Sequence, residues 1–354
     1  MISILPDFKE EGWHSMDLCA EMLIKYSLTV SDFRTDVPHY QKLLSYLPWK
    51  TAKKFDRWYN RWIVYPSFAK RISWLPDFFH IVDHSYAHLA NYLPEGKTGV
   101  YCHDLDAFKC ILAPDQEPRP DWYRKMMGKV FEGLKKARVV FCSTKVTQHS
   151  LLTLGHWNSD AIHVAPYGVS EEFQPNGPKE SGEFLLHVGS CIPRKRMDVL
   201  LNAFAKVTKF RSGWKLIQAG GLFSPEHRLQ IQDLKLGGIV EQRQNLTRED
   251  LASLYRGAKC LVITSDSEGF GLPLIEGMSC GARVVASDIP VLREVGGDEI
   301  TFFAPGEPDA CAQSILKVTE SSFSNGDYLP RKWSWLDHVK TIRSVYSSLG
   351  KCKK

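Results

Sequence analysis

Short apolar runs rich in β-branched and aromatic residues recur along this chain, and most are followed by turn residues and then by a stretch of helical periodicity. In the first half the runs are 2–6, 79–82, 99–102, 139–142 and 161–164; in the second they are 184–188, 215–219, 260–264, 283–286 and 300–303. Parallel strands need a long connection, and a helix supplies it, so the alternation predicts parallel sheets with crossover helices. A length of 354 residues exceeds what one hydrophobic core usually serves, which points to two domains. Their expected extents are 1–170 and 180–335, joined by a linker at Gly168–Gly182, where Pro175, Gly177, Pro178 and Gly182 interrupt regular structure. The expected fold class is therefore α/β, two Rossmann-like doubly wound domains. No tandem repeat is apparent.

Composition excludes several alternatives. Hydrophobic residues at 44% and charged residues at 24% are ordinary for a globular protein and argue against disorder. No apolar run approaches the ~18 residues that cross a bilayer, and residues 1–11 carry acids where a signal peptide would be basic and then apolar, so the chain reads as cytosolic. Nine cysteines are scattered without a C-x-x-C pair, which fits reduced, buried thiols. Of the net charge of +5, the segment Lys50–Arg71 alone carries seven Lys or Arg against the single acid Asp56. The basicity is thus local.

In open parallel sheets ligands bind beyond the carboxyl ends of the strands. The junctions to inspect are 9–15, 83–86, 103–106, 190–197, 219–223 and 265–276. The last holds the strongest signal, Ser265-Asp-Ser-Glu-Gly-Phe-Gly-Leu-Pro-Leu-Ile-Glu276: a strand, the acid Glu268, Gly269 and Gly271 around Phe270, then Leu272 and Pro273 opening a helix. Two glycines let backbone amides approach a ligand, and amides with a helix dipole favour a diphosphate. Glu276, eight residues beyond Glu268, can return to the same side and reach a ribose diol. A helix cap with packing glycines is the plainer reading. A second loop, from Ser190 to Arg196, places Arg194 and Lys195 where a helix begins, so their charges can meet the same diphosphate; a solvated basic turn is the alternative. Gly220 ends the next strand, and Asn245 and Leu246, which the family resemblance described below implies to lie near the nucleobase, follow in a short loop.

In the first half, His103 and Asp104 end an apolar strand, where the imidazole can hydrogen-bond a ligand and Asp104 can orient it; a structural histidine is the plainer reading. Asp83-His84-Ser85 repeats that pattern more weakly, and Gly12 and His14 occupy the first loop. Apart from His80, His84 and His88, which recur every fourth residue, the histidines form no H-x-x-x-H or comparable spacing, and neither a catalytic metal nor a cofactor is expected.

These motifs carry a family resemblance. The run from Glu268 to Glu276, with Gly277–Asp288, His187–Lys195, Val164–Val169 and Trp333-Ser-Trp335, resembles the signature of the family-4 (group 1) retaining nucleotide-sugar glycosyltransferases of GT-B architecture. It covers the second half specifically and the first half loosely, through His103-Asp104-Leu105 and Cys142-Ser-Thr144. The resemblance implies two domains facing a cleft, with a C-terminal helix, about 336–354, returning to the first. It implies that Glu268 binds donor-sugar hydroxyls with the amides of Gly269, Phe270 and Gly271, that Arg194 and Lys195 hold the diphosphate, that Glu276 holds the ribose, and that His103 faces the reacting centre. Many relatives carry a glycine pair in the first loop, where Glu10-Glu-Gly12-Trp-His14 supplies one glycine.

The implied activity is retaining transfer of a hexose from a UDP- or GDP-linked donor to a glycan, lipid-linked or small-molecule acceptor, without a metal. Rival readings are a nucleotide-sugar epimerase of the same architecture and a non-catalytic sugar-nucleotide-binding protein. The basic segment 49–71 sets Phe55, Trp58 or Tyr59, and Trp62 at helical spacing among Lys53, Lys54, Arg57 and Arg61. Such a helix either packs on the first domain or lies at an anionic membrane surface. Nucleic acid is not an expected partner, because no recognition motif accompanies the charge.

Overall fold

The computed structural model describes residues 1–46, 50–320 and 333–351. Trp49 and the side chain of His14 lie outside the described residues. The chain divides into two units, Met1–Gly168 with Trp335–Lys354, and Val169–Ser334.

The first unit is built on six parallel strands, β1 Ile2–Leu5, β2 Phe33–Thr35, β3 Phe78–Ile81, β4 Thr98–Cys102, β5 Val139–Cys142 and β6 Ile162–Val164, in the order β2-β1-β3-β4-β5-β6. The second has β7 Phe184–Gly189, β8 Lys215–Gly220, β9 Val240–Arg243, β10 Cys260–Ile263, β11 Val284–Ser287 and β12 Thr301–Phe303, in the order β12-β11-β10-β7-β8-β9. Both sheets are doubly wound. The chain leaves the centre in opposite directions from β1 and β3, and again from β7 and β10, so each sheet has one switch point where the loops separate.

Central strands such as β5 and β10 are buried on both faces, which is why they read as unbroken apolar runs. Two strands were not anticipated, β2 and β9. Both are edge strands, and their sequences, Phe-Arg-Thr and Val-Glu-Gln-Arg, are half-exposed and polar, so no apolar run marks them.

The Pro/Gly-rich stretch expected as a linker belongs to the second unit. The Arg256 guanidinium donates to the carbonyls of Pro178, Glu172 and Gln174, the Glu180 amide donates to Ser253, and Phe173 packs edge-on against Tyr255. The helix Trp335–Lys351 packs on the first unit. Tyr346 there is buried, and its hydroxyl donates to the Phe79 carbonyl and lies 3.0 Å from His80 Nδ1.

The basic segment is helical from Lys50 to Tyr59 and from Tyr65 to Ile72, with a π-turn at Asn60–Val64 between them. Asn60 causes the widening: its amide donates to the Asp56 and Gln41 carbonyls, and the Tyr65 amide reaches back five residues to Asn60. The packed face differs from the aromatic stripe expected. Ala52, Asp56, Asn60, Tyr65 and Ala69 are buried, while Phe55 and Trp58 are exposed beside Lys53 and Lys54. Of the stripe, Trp62 packs inward, its ring 4.3 Å from that of His88. No helix among the described residues is long and apolar enough to cross a membrane.

Candidate functional site

In the second unit the loops after β7 and β10 flank the switch point, and there the chain gathers its charge. Ile192–Lys195 form a tight turn that ends with Arg196 in the left-handed region, which sets Arg194 and Lys195 just before the helix Met197–Val207. Lys195 Nζ lies 2.5 Å from Glu268 Oε1, Arg194 Nη1 is 3.4 Å from Oε2 and 2.7 Å from the Ser267 carbonyl, and Ser265 Oγ donates to Oε1 at 2.6 Å. Burial pushes the Glu268 carboxyl up, but Lys195, Arg194 and Ser265 outweigh it and hold the group below the usual range. Glu268 is therefore an anion whose two cations are the same pair assigned to a diphosphate.

Gly271 caps the helix Leu272–Ser279 with φ of 92°, which favours glycine; a Cβ there would also come within 2.9 Å of the tip of the Leu292 side chain. Phe270 is buried and meets Trp333 edge-on at 5.3 Å. Glu276 lies within that helix, buried, and accepts a 2.8 Å hydrogen bond from Tyr255; burial pushes its carboxyl up to about 7. Close backbone approach also shapes the β7 loop. A Cβ on Gly221, beside Gly220 at the end of β8, would stand 2.6 Å from the Cys191 amide nitrogen, next to the exposed Ser190. Asn245, at φ 53°, and Leu246 follow β9 at the far edge of the sheet.

The first unit has its switch point between β1 and β3. His103, directly after β4, is buried, and its Nδ1 is hydrogen-bonded to the Tyr167 hydroxyl. Tyr167 thus holds the imidazole, while Asp104 accepts from the Asp106 amide at 3.0 Å. Burial drives His103 down to about 4, against the pull of Asp83. Gly12 ends a short turn in the left-handed region and is exposed.

Asp83, His84 and His103 bring donor atoms within 4.8 Å of one another. They are already engaged: Asp83 accepts from the Ser85 amide at 2.7 Å, and His84 Nδ1 accepts from the His103 amide at 3.2 Å. Burial pushes Asp83 up, yet His84, His103, the Ser85 amide and Arg61 keep it below the usual range.

Sequence reasoning missed Asp7 and Tyr255, and it named Ser265, Tyr167 and Arg61 only as members of longer motifs without the contacts they make. Asp7 had a usable signal, since it stands two residues beyond β1, but the first junction was read as starting at Lys9.

Two doubly wound parallel sheets, the second with two cations and a carboxylate gathered beside a glycine-capped helix at its switch point, are the fold class of the GT-B proteins. Residues 169–332 match the family described as glycosyl transferases group 1. The chain is 30% identical over 268 residues to O-antigen chain mannosyltransferase B of Escherichia coli, covering 70% of this chain and 69% of that protein. It is 29% identical over 203 residues to a D-inositol 3-phosphate glycosyltransferase of Frankia alni, covering 52% and 50%. Among solved structures it resembles Anabaena HepE in complex with UDP and glucose, with a TM-score of 0.71 at 16% identity over 98% and 99% of the two chains. Sucrose-phosphate synthase from Thermosynechococcus elongatus gives 0.68 at 16% over 99% and 98%. The chain belongs to the group 1 glycosyl transferases.

Proposed function

We propose that this protein is a retaining hexosyltransferase, mannosyl being the first group to test, which draws on a nucleotide-diphosphate sugar held by its second unit and a glycan or lipid-linked acceptor held mainly by its first. The observation that carries the reading is the meeting of Arg194, Lys195 and Glu268 at the switch point of the second sheet. A diphosphate entering there takes over the two cations, and Glu268 turns to donor-sugar hydroxyls, assisted by the amides of Gly269, Phe270 and Gly271. Glu276 receives the ribose, and the loop of Asn245 and Leu246 the base.

In the transfer step the acceptor oxygen bonds to the anomeric carbon as the bond to phosphate breaks on the same face, and the departing phosphate takes the acceptor proton. Charge stabilisation by Arg194, Lys195 and helix N-termini does the work that a metal does elsewhere. The mannosyl choice is supported by similarity to Escherichia coli proteins named as mannosyltransferases, one of them an O-antigen chain enzyme, which also favours a place in polysaccharide synthesis.

The exposed Phe55 and Trp58 beside Lys53 and Lys54 favour peripheral contact with an anionic membrane, at its inner face. Recovery on anionic but not neutral liposomes is the expected result.

The test is incubation with GDP-mannose and with UDP-glucose in EDTA, following nucleotide diphosphate release and the anomeric configuration of the product. Conversion of the donor alone into a different nucleotide sugar would make the protein an epimerase, and nucleotide binding without turnover would make it a silent binder.

A further inference from the structure

Arg196 stands in the left-handed region, at φ 49° and ψ 51°, directly before the helix Met197–Val207. A residue with a Cβ is strained there, and glycine would take the position without that cost. Asparagine and aspartate tolerate such a backbone, and a residue just past a helix end often adopts it, but neither reason covers an arginine at a helix start. Strain of this kind persists where the surrounding structure over-determines it.

What fixes Arg196 is its guanidinium. Nε and Nη2 donate to the two carboxylate oxygens of Asp198, each at 3.0 Å, and Nη1 crosses to Asp266 in the loop after β10, 3.1 Å from Oδ1 and 3.3 Å from Oδ2. Beside that pair the Asp266 amide donates to the Arg194 carbonyl at 2.8 Å, and Thr264 Oγ1 donates to the Lys195 carbonyl at 2.8 Å. The loop that carries Arg194 and Lys195 is thus stitched to the loop that carries Glu268 by groups other than those three side chains. Stability does not account for the arginine, since the Arg196 and Asp266 side chains are 30% and 45% exposed and ion pairs at such exposure contribute little.

Donor binding does account for it. The charged side-chain ties of Lys195 and Arg194 to Glu268 are the contacts that an entering diphosphate exchanges for its own. The pair of Arg196 with Asp266 takes no part in that exchange and survives it. We propose that Arg196 is a positioning residue, which clamps the loop after β7 to the loop after β10 through Asp266 and so keeps the cations of the donor site gathered opposite Glu268. A diphosphate that finds the loops apart must gather them itself, so its apparent dissociation constant rises by the inverse of the gathered fraction; once bound, it meets the same cations. The clamp therefore governs donor affinity and not the rate of the bound complex. It rests on the transferase reading above.

The experiment compares wild type, Arg196→Gly, Asp266→Ala and the double variant, with GDP-mannose and UDP-glucose as donor probes and GDP and UDP for direct binding. Expected in each variant is a rise of about tenfold in donor KM and in the Kd of the nucleotide diphosphate, with kcat within about threefold of wild type. The double variant should be no worse than either single one, because both cut the same tie. Arg196→Gly should also show a Tm no lower than wild type, as the strained backbone is relieved. Arg196→Lys, which keeps the charge without the fork, should fall between. A lower Tm with unaltered donor KM makes the arginine structural and overturns the clamp. So does a loss confined to kcat, which would put the guanidinium on the reacting phosphate, and so do additive losses in the double variant. If Arg196→Gly fails to fold, Asp266→Ala, which leaves the backbone at Arg196 as it is, decides the same question. Variants that match an active wild type in donor KM overturn the clamp alone, whereas a wild type that binds neither GDP nor UDP overturns the transferase reading and the clamp with it.

Discussion

The two switch points solve opposite problems. In the second unit the charged groups compensate one another: Glu268 is held by Lys195, Arg194 and Ser265. In the first, Asp7 and one nitrogen of His103 are buried and uncompensated among the described residues. A self-paired cluster can be opened by a ligand of the same charge as its anion, which suits a diphosphate. The contrast teaches that two sheets of the same doubly wound topology can neutralise the polar groups at their loop ends in different ways.

The largest effect should come from removing the compensation. Glu268→Ala, or Arg194→Ala with Lys195→Ala, should lower kcat/KM by about 10²–10³, the scale for losing a charge-stabilising group. Near-normal turnover in either would dissolve the contrast. Lys195→Ala alone should also destabilise by about 3–5 kcal/mol, because it leaves a buried carboxylate short of its closest cation, and adding Glu268→Gln should recover much of that loss in a urea titration.

Acid should act next. His80, His88 and His187 are driven by burial to about 3, and His103 and His338 to about 4. The unfolded chain binds protons near 6.5 that the folded chain refuses, so stability should fall as pH drops from about 6.5 to about 4. Each group contributes about 1.4 kcal/mol per pH unit. A urea midpoint that held steady from pH 7 to pH 5 would contradict this burial.

Asp7 has the opposite sign. Its raised value means the folded chain keeps a proton that the unfolded chain loses above about 4, so stability drains as pH rises toward 8. Asp7→Asn should therefore gain more over wild type at pH 8 than at pH 5, and an equal difference at both would show the carboxyl to be solvated.

A smaller effect is expected from Gly221→Ala, whose Cβ would meet the Cys191 backbone. The loop of Ser190 must shift, raising donor KM more than it lowers kcat. Smallest of all, Phe55→Ser with Trp58→Ser should change stability by less than about 0.5 kcal/mol, since both rings are exposed, while abolishing recovery on anionic liposomes.

The central strands and the glycine-rich turn were legible in the amino-acid sequence because their causes are local. A strand buried on both faces must be apolar throughout, and the start of the helix Leu272–Ser279 needs Gly271 for its dihedral and Pro273 in its first turn. Edge strands β2 and β9 escaped because half-exposed backbone imposes no such pattern. The docking of 169–182 onto the second unit escaped because one distant side chain, Arg256, fastens it.

The loops that would carry charge could likewise be named from spacing alone, but three facts belonged to the tertiary structure: that Lys195 and Glu268 neutralise each other across 73 positions, that Tyr167 holds His103, and that Asp7 is left with no partner among the described residues. Composition and periodicity report what a residue prefers within a few neighbours. Whether a buried polar atom is satisfied depends on which strands the topology sets side by side, and only the folded chain decides that.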